Sequence, residues 1–257
     1  MFLFGIVIGL IIAALFYHKS TLFSAIDHIQ VKRQRNRRTS IQFGEMDLTR
    51  IAFFEHLRKQ DSRRYTVVVD RSGSMSEKVG GFFSGSKWTE VCKSVQYIVQ
   101  AIMAADSEGM YLWFFSNAKP DTFNNLKTTQ EVVNAFGSVN PFGATKLGKV
   151  LIPVFERHAA GGRPESVLVI TDGFPTDPAR LVQTLVHASK ATQDMTVSIV
   201  QVGTDTYATK YLEELPGKLK EAGMVKDIVD ITTTEEMDRH KANLQTLVDQ
   251  LINDLKA

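Results

Sequence analysis

The sequence predicts an α/β fold, doubly wound, with a mostly parallel sheet and helices on both faces. Two observations carry that prediction. From Tyr65 onward, short apolar runs alternate with longer segments whose apolar residues fall at helical spacing. The runs are also separated by helix-length stretches rather than by tight turns, and parallel strands need such crossovers.

The elements follow in order. Tyr65-Thr66-Val67-Val68-Val69 reads as a buried strand. Ser86 can cap a helix from Lys87 to about Ala104, with Trp88, Val91, Val95, Ile98 and Ile102 on one face. Residues 110–115 read as a second strand. Thr128 and Glu131 form a capping-box pattern for a short helix ending at Phe136. Residues 147–158 read as a helix and 166–170 as a strand. Asp177-Pro178 looks like an N-cap followed by proline at the first helical position, opening a helix to about Thr192. A strand is expected over 196–202, a helix over 207–222, a short strand over 227–231 and one closing helix over 234–255. No internal repeat or low-complexity segment is present.

Composition narrows the function classes. The chain has 257 residues, 44% of them hydrophobic and 23% charged, which suits a folded core rather than disorder. Its single cysteine, Cys92, allows no internal disulfide and reads as an inert buried thiol. The six histidines are scattered without zinc-site spacing. The net charge of +2 hides an asymmetry: residues 18–64 carry +6 and residues 65–257 carry −4. That balance gives the folded part no support as a nucleic-acid binder.

The N-terminal residues 1–17 are uncharged and strongly apolar. As a helix they would span roughly 26 Å, near the short limit for crossing a bilayer. No basic side chain precedes the run, which favours a retained anchor over a cleaved signal. Lys19, Lys32, Arg33, Arg35, Arg37 and Arg38 follow it, so the expectation is a single-pass membrane protein with its globular domain in the cytosol. Gly5, Gly9 and Ala13 recur at four-residue spacing, a pattern that permits a homodimer through the span. The basic cluster at 32–38 either marks topology or rests on anionic headgroups. Asp47 can cap a connector helix over about 48–59, where Leu48, Ile51, Phe54 and Leu57 form one stripe with Phe53 beside it. That helix either packs on the domain or lies on the membrane; His56 falls off the stripe and is expected in solvent.

Three short pieces supply oxygen ligands and no thiol or imidazole: Asp70-Arg71-Ser72-Gly73-Ser74, Gly143-Ala144-Thr145 and Thr171-Asp172-Gly173. Two of them sit where strands should end, the place where open α/β sheets bind ligands. An all-oxygen set suits a hard cation. Taken singly, the aspartates could cap helices and Ser72, Gly73 and Ser74 could form turns. Ser116-Asn117 reads as a turn that could border the site. In the glycine-rich stretch 79–86, Phe82 and Phe83 either face a partner or fold under the loop.

This arrangement resembles the von Willebrand factor A domain over roughly residues 62–257. The family's Asp-x-Ser-x-Ser motif matches at Asp70, Ser72 and Ser74, its distant threonine at Thr145, and its Thr-Asp-Gly aspartate at Asp172. Ala144 stands where many members have a second glycine. The resemblance implies a metal-ion-dependent adhesion site holding Mg²⁺ or Mn²⁺. Ser72, Ser74 and Thr145 would contact the ion, and Asp70 and Asp172 would act mainly through waters or hydrogen bonds. With the A-like domain at 62–257, the chain divides further into the anchor at 1–17 and a basic juxtamembrane segment with a connector helix at 18–61.

The function expected is a non-enzymatic, membrane-anchored module that captures an aspartate or glutamate of a protein partner. A metal-dependent hydrolase is the rival, but Ser72 and Ser76 stand where a nucleophile elbow around Ser74 needs glycines, and no Walker loop is present. A metal-independent scaffold is the third reading.

Overall fold

The computed structural model describes residues 51–79, 85–191, 194–240 and 243–255. The span expected at 1–17, its dimer face, the basic cluster and the pair Phe82 and Phe83 all lie outside the described residues. Among the described residues no helix is long and apolar enough to cross a membrane.

The chain runs α1 (Ala52–Arg58), β1 (Arg64–Asp70), a 3₁₀ turn (Gly73–Ser76), α2 (Lys87–Ala105), β2 (Met110–Phe115), β3 (Asp121–Leu126), α3 (Thr129–Gly137) and α4 (Leu147–Gly161). It continues through β4 (Glu165–Thr171), α5 (Pro178–Ala191), β5 (Met195–Gln201), α6 (Thr206–Glu221), β6 (Val229–Thr232), α7 (Thr234–Arg239) and α8 (Leu244–Asp254). The six strands form one sheet in the order β3-β2-β1-β4-β5-β6. All neighbours are parallel except β2 and β3.

Strand periodicity sorts the core into two layers. Val67 and Val69 of β1 face α1, α2, α3 and α8, whereas Val68 faces α4, α5 and α6. The neighbouring strands repeat this split: Leu168 and Ile170 lie on the first side, Val167 and Val169 on the second. Trp88 wedges the first layer, 5.0 Å from the Phe114 ring and 4.5 Å from that of Phe136.

Local signals placed most helices. Ser86 accepts from the Thr89 amide, and Thr128 with Glu131 closes a reciprocal capping box at α3. Several expectations are corrected. The strand β3 was not expected; its Asp-Thr-Phe-Asn-Asn-Leu sequence carries little strand propensity and is held antiparallel on the edge of β2. The closing helix is two helices. His240 ends α7, and α8 opens on its own capping box, in which Asn243 accepts from the Thr246 amide and Thr246 Oγ1 accepts from the Asn243 amide.

The connector helix belongs to the domain. Ile51, Phe53, Phe54 and Leu57 are fully buried in the first layer. It starts at Ala52, and Asp47 lies outside the described residues. Its docking replaces a side-chain cap: the Phe53 amide donates to Ser198 Oγ at 3.0 Å, and Ser198 donates to Asp230 Oδ1 at 2.9 Å. His56 is therefore not in solvent. Its Nδ1 lies 2.6 Å from Ser166 Oγ, and burial, with Arg63 nearby, holds its imidazole below the usual histidine range. Cys92 is half-buried, with burial pushing its thiol up.

At the N-terminal end of β4, Glu165 is fully buried. It accepts from Thr66 Oγ1 at 2.6 Å, from Arg64 at 3.3 Å and from Arg157, whose guanidinium lies 4.2 Å from the centre of the Tyr111 ring. Removing one partner of such a network strands the others in low dielectric. Glu165→Ala is expected to lose about 3–5 kcal/mol in urea unfolding.

Burial pushes the Asp230 carboxyl up to about 6, against the opposing bonds from Ser198 and the backbone. The native state thus holds this proton more tightly than the unfolded chain, where an aspartate titrates near 3.9. Its contribution is complete below about pH 4 and is lost as the pH rises through about 6. Between pH 4 and 7 the native chain should lose about 2 kcal/mol that Asp230→Asn retains, read as the difference in slope of stability against pH.

Candidate metal centre

The site lies at the carboxyl ends of β1 and β4. These adjacent strands leave in opposite directions along the sheet, one toward β2 and one toward β5, so a crevice opens between their loops. The register pairs Val69 with Ile170, which sets Asp70 beside Thr171. Thr171 Oγ1 donates to Asp70 Oδ2 at 2.7 Å, and the Ser72 amide donates to Asp70 Oδ1 at 2.7 Å. Asp70 is fully buried, and that burial pushes its carboxyl up to about 6; the two donors oppose the rise and the neighbouring Asp172 adds to it. The fold thus holds a carboxylate where its charge is uncomfortable and where a cation would relieve it.

The serines connect the two aspartates. Ser72 Oγ and Ser74 Oγ lie 3.0 Å apart, and Ser74 Oγ donates to Asp172 Oδ1 at 2.9 Å. The loop carrying Thr145 is drawn in from both sides. The Gly73 amide donates to Gly143 O at 3.1 Å, and the Phe142 amide donates to Arg71 O at 2.6 Å. On the other side the Thr176 amide donates to Thr145 O at 2.7 Å. A Cβ on Gly173 would lie 3.5 Å from Thr145 Oγ1 and 4.0 Å from Ser74 Oγ, so both hydroxyls face that glycine.

All five residues expected as ligands therefore gather in one place: Asp70, Ser72, Ser74, Thr145 and Asp172. Two carboxylates and three neutral hydroxyls match what Mg²⁺ or Mn²⁺ takes. Among the described residues no cluster of three or more His, Cys, Asp or Glu side chains competes with this set. The chain carries the signature fold as well as the signature residues, and the sequence profile of the von Willebrand factor type A domain matches residues 66–250. The chain belongs to the von Willebrand factor A domain family.

Sequence comparison with curated proteins gives no match. Among solved structures, the A domain is similar to proximal thread matrix protein 1 of the mussel byssus at 18% identity, with a TM-score of 0.51, covering 76% of this chain and 48% of that one. It is similar to a von Willebrand factor type A protein from Catenulispora acidiphila at 15% identity and TM-score 0.47, covering 75% and 42%. It is also similar to the manganese-loaded TRAP protein of Plasmodium vivax at 14% identity and TM-score 0.43, covering 75% and 74%. The chain spans less than half the length of the first two of these proteins.

Some surrounding residues were not foreseen. Asp177 precedes α5, but its two oxygens accept from the amides of Gly148 and Lys149 at 3.1 and 2.9 Å, capping α4 and fixing the Thr145 loop. Phe142 and Phe174, next to the ligand loops in sequence, are exposed. Lys87, the first residue of α2, reaches back to the site. Its Nζ donates to Asp172 Oδ2 and to Glu77 Oε2, each at 2.8 Å. Burial works against its charge, but those bonds outweigh it and hold the ammonium above the usual lysine range.

Ser116-Asn117 does border the site. Gly143 has φ +93°, and a Cβ there would lie 2.1 Å from Asn117 Oδ1. Ala144, where many members have glycine, has no positive φ and needs none. Gly143→Ala should therefore lose about 1–3 kcal/mol in denaturant unfolding. Gly137→Ala, where a Cβ meets nothing within 4 Å, should be neutral or slightly stabilising.

Proposed function

We propose that this A domain is a protein-binding module that captures an aspartate or glutamate of a partner through Mg²⁺ or Mn²⁺. Ser72, Ser74 and Thr145 would hold the ion, with Asp70 and Asp172 behind them. The observation that carries the reading is the convergence of two buried carboxylates and three hydroxyls at one strand-end crevice, with no imidazole or thiol among them. Members of this family are in general interaction modules, and a binding role uses the donor set fully.

The chain's own residues each do a definable part. Asp70 is locked by Thr171 and the Ser72 amide, so it fixes the first loop. Asp172 orients Ser74 through one oxygen. The hydroxyls are neutral, so they hold a cation without quenching its charge. A bound divalent ion supplies a hard charge with a coordination position open to a carboxylate. Exposed Phe142 and Phe174 offer apolar contact to residues flanking that acid. The Ser72 and Ser74 hydroxyls bond to each other and to Asp172, an arrangement suited to holding an ion rather than to activating a nucleophile.

The reading includes an N-terminal span over residues 1–17 with the domain on the cytosolic side. It is supported by the uncharged apolar run and by the basic residues that follow it.

Calorimetric titration of the full chain with Mg²⁺ tests the site. Asp70→Ala and Thr145→Ala are each expected to weaken binding by about 10–100-fold or more. Mg²⁺ should raise the melting temperature of the native chain and leave that of the variants unchanged. Equal Mg²⁺ binding by the native chain and both variants would remove these residues from the site.

A further inference from the structure

Lys87 sets a fixed positive charge against the candidate metal centre, with its Nζ 2.8 Å from Asp172 Oδ2. Its side chain is only 12% exposed, and the Asp172 carboxylate it touches is fully buried. Its position is enforced from several sides. The Lys87 amide donates to Glu77 O at 2.9 Å, so backbone and side chain both tie it to the residue that follows the 3₁₀ turn. Gly203, at φ +87°, closes over it: a Cβ there would lie 2.8 Å from Lys87 Cε. The lysine is built in rather than draped over the surface.

The two oxygens of Asp172 are thus divided. Oδ1 takes the hydroxyl proton of Ser74, and Oδ2 takes the ammonium. We propose that Lys87 is an internal counter-ion of the metal centre that holds down the affinity of the free domain for a divalent cation and, once the cation is bound, strengthens the site's affinity for an acidic ligand. The inference rests on the metal-dependent reading above and adds the regulation of that site.

The charge argument is direct. With Asp70 and Asp172 ionised, a divalent ion alone would bring the buried pocket to neutrality. With Lys87 present the loaded pocket keeps one positive charge. Glu77 offsets this only in part, because it is 64% exposed and water screens it. A partner carboxylate then completes both the coordination and the charge. Metal and acid bind cooperatively, and linkage requires each to raise the affinity of the other by the same factor.

The test is Mn²⁺ titration of the full chain, with free ion read by electron paramagnetic resonance, for the native protein, Lys87→Met, Lys87→Arg and Glu77→Gln. Thermal melts establish that each variant is folded. Lys87→Met is expected to bind Mn²⁺ about tenfold more tightly than native. Lys87→Arg keeps the charge and should stay within about threefold of native, and Glu77→Gln should bind about two- to threefold more weakly. The opposite signs of the methionine and glutamine variants separate charge from damage, since damage weakens both. Acetate serves as the carboxylate probe against chloride at equal ionic strength, and it should tighten Mn²⁺ binding more for native than for Lys87→Met. If the native chain binds Mn²⁺ and Lys87→Met binds equally or more weakly, the counter-ion role is overturned and the metal centre stands. If neither the native chain nor Lys87→Met binds Mn²⁺, the metal reading itself fails, and the inference with it.

Discussion

The pairing of β1 with β4 is the constraint from which both the core and the site follow. Both strands are covered on their two faces, so each register position commits one side chain to each helical layer. A slip of one residue would exchange Val67 and Val69 with Val68 and turn every apolar residue of β1 to the wrong layer. The same register brings Asp70 level with Thr171 at the carboxyl edge. The hydrophobic core, which has no chemistry of its own, thereby fixes the separation of the two acids to which Ser72 and Ser74 attach.

Strand β4 carries a buried acid near each end, and the two are treated in opposite ways. Glu165, at the amino end, is surrounded by Arg64, Arg157 and the Thr66 hydroxyl. That arrangement is closed, because guanidinium groups bring their charge with them and leave nothing for a ligand to supply. Asp172, just beyond the carboxyl end, is met by one hydroxyl and one ammonium, and Asp70 beside it by an amide and a hydroxyl. Two carboxylates share one fixed cation there: Lys87 touches Asp172, and Asp70 is met by neutral donors alone. Buried charge at one end serves stability. At the other it is left in deficit, and a deficit of that sign is what a cation fills.

Much of this was legible in the sequence, for reasons that can be traced to particular residues. The runs in β1 and β4 are rich in β-branched residues and are followed within two residues by Asp70 and Asp172, so the sequence marks strand and site together. The caps at Ser86 and Thr128 are local hydrogen bonds between near neighbours, and local chemistry is what a sequence displays. What escaped notice depends on distant partners. The edge strand β3 has no apolar alternation and exists because β2 offers a free edge. The role of Asp177 in capping α4 spans 29 residues, and the contact of Lys87 with Asp172 spans 85. The helix α1 was seen as amphipathic, but its docking hangs on Ser198 and Asp230 far along the chain. The break between α7 and α8 falls inside one continuing apolar pattern, since Met237 and Leu247 both face the first core layer.

The choice of hydroxyls over further carboxylates has a physical logic that joins these points. A site made of four acids would hold a divalent ion tightly and repel a fifth. Two acids set back among hydrogen bonds would hold it less tightly but leave its charge available. Lys87 moves the balance further in the same direction, because an ammonium fixed on Asp172 subtracts from the charge that the pocket can offer to a metal. On the proposed reading, metal affinity would be exchanged for affinity toward an incoming acid, and the side chain that would set the exchange is held by the first turn of α2 and by Gly203 rather than by the ligand loops alone.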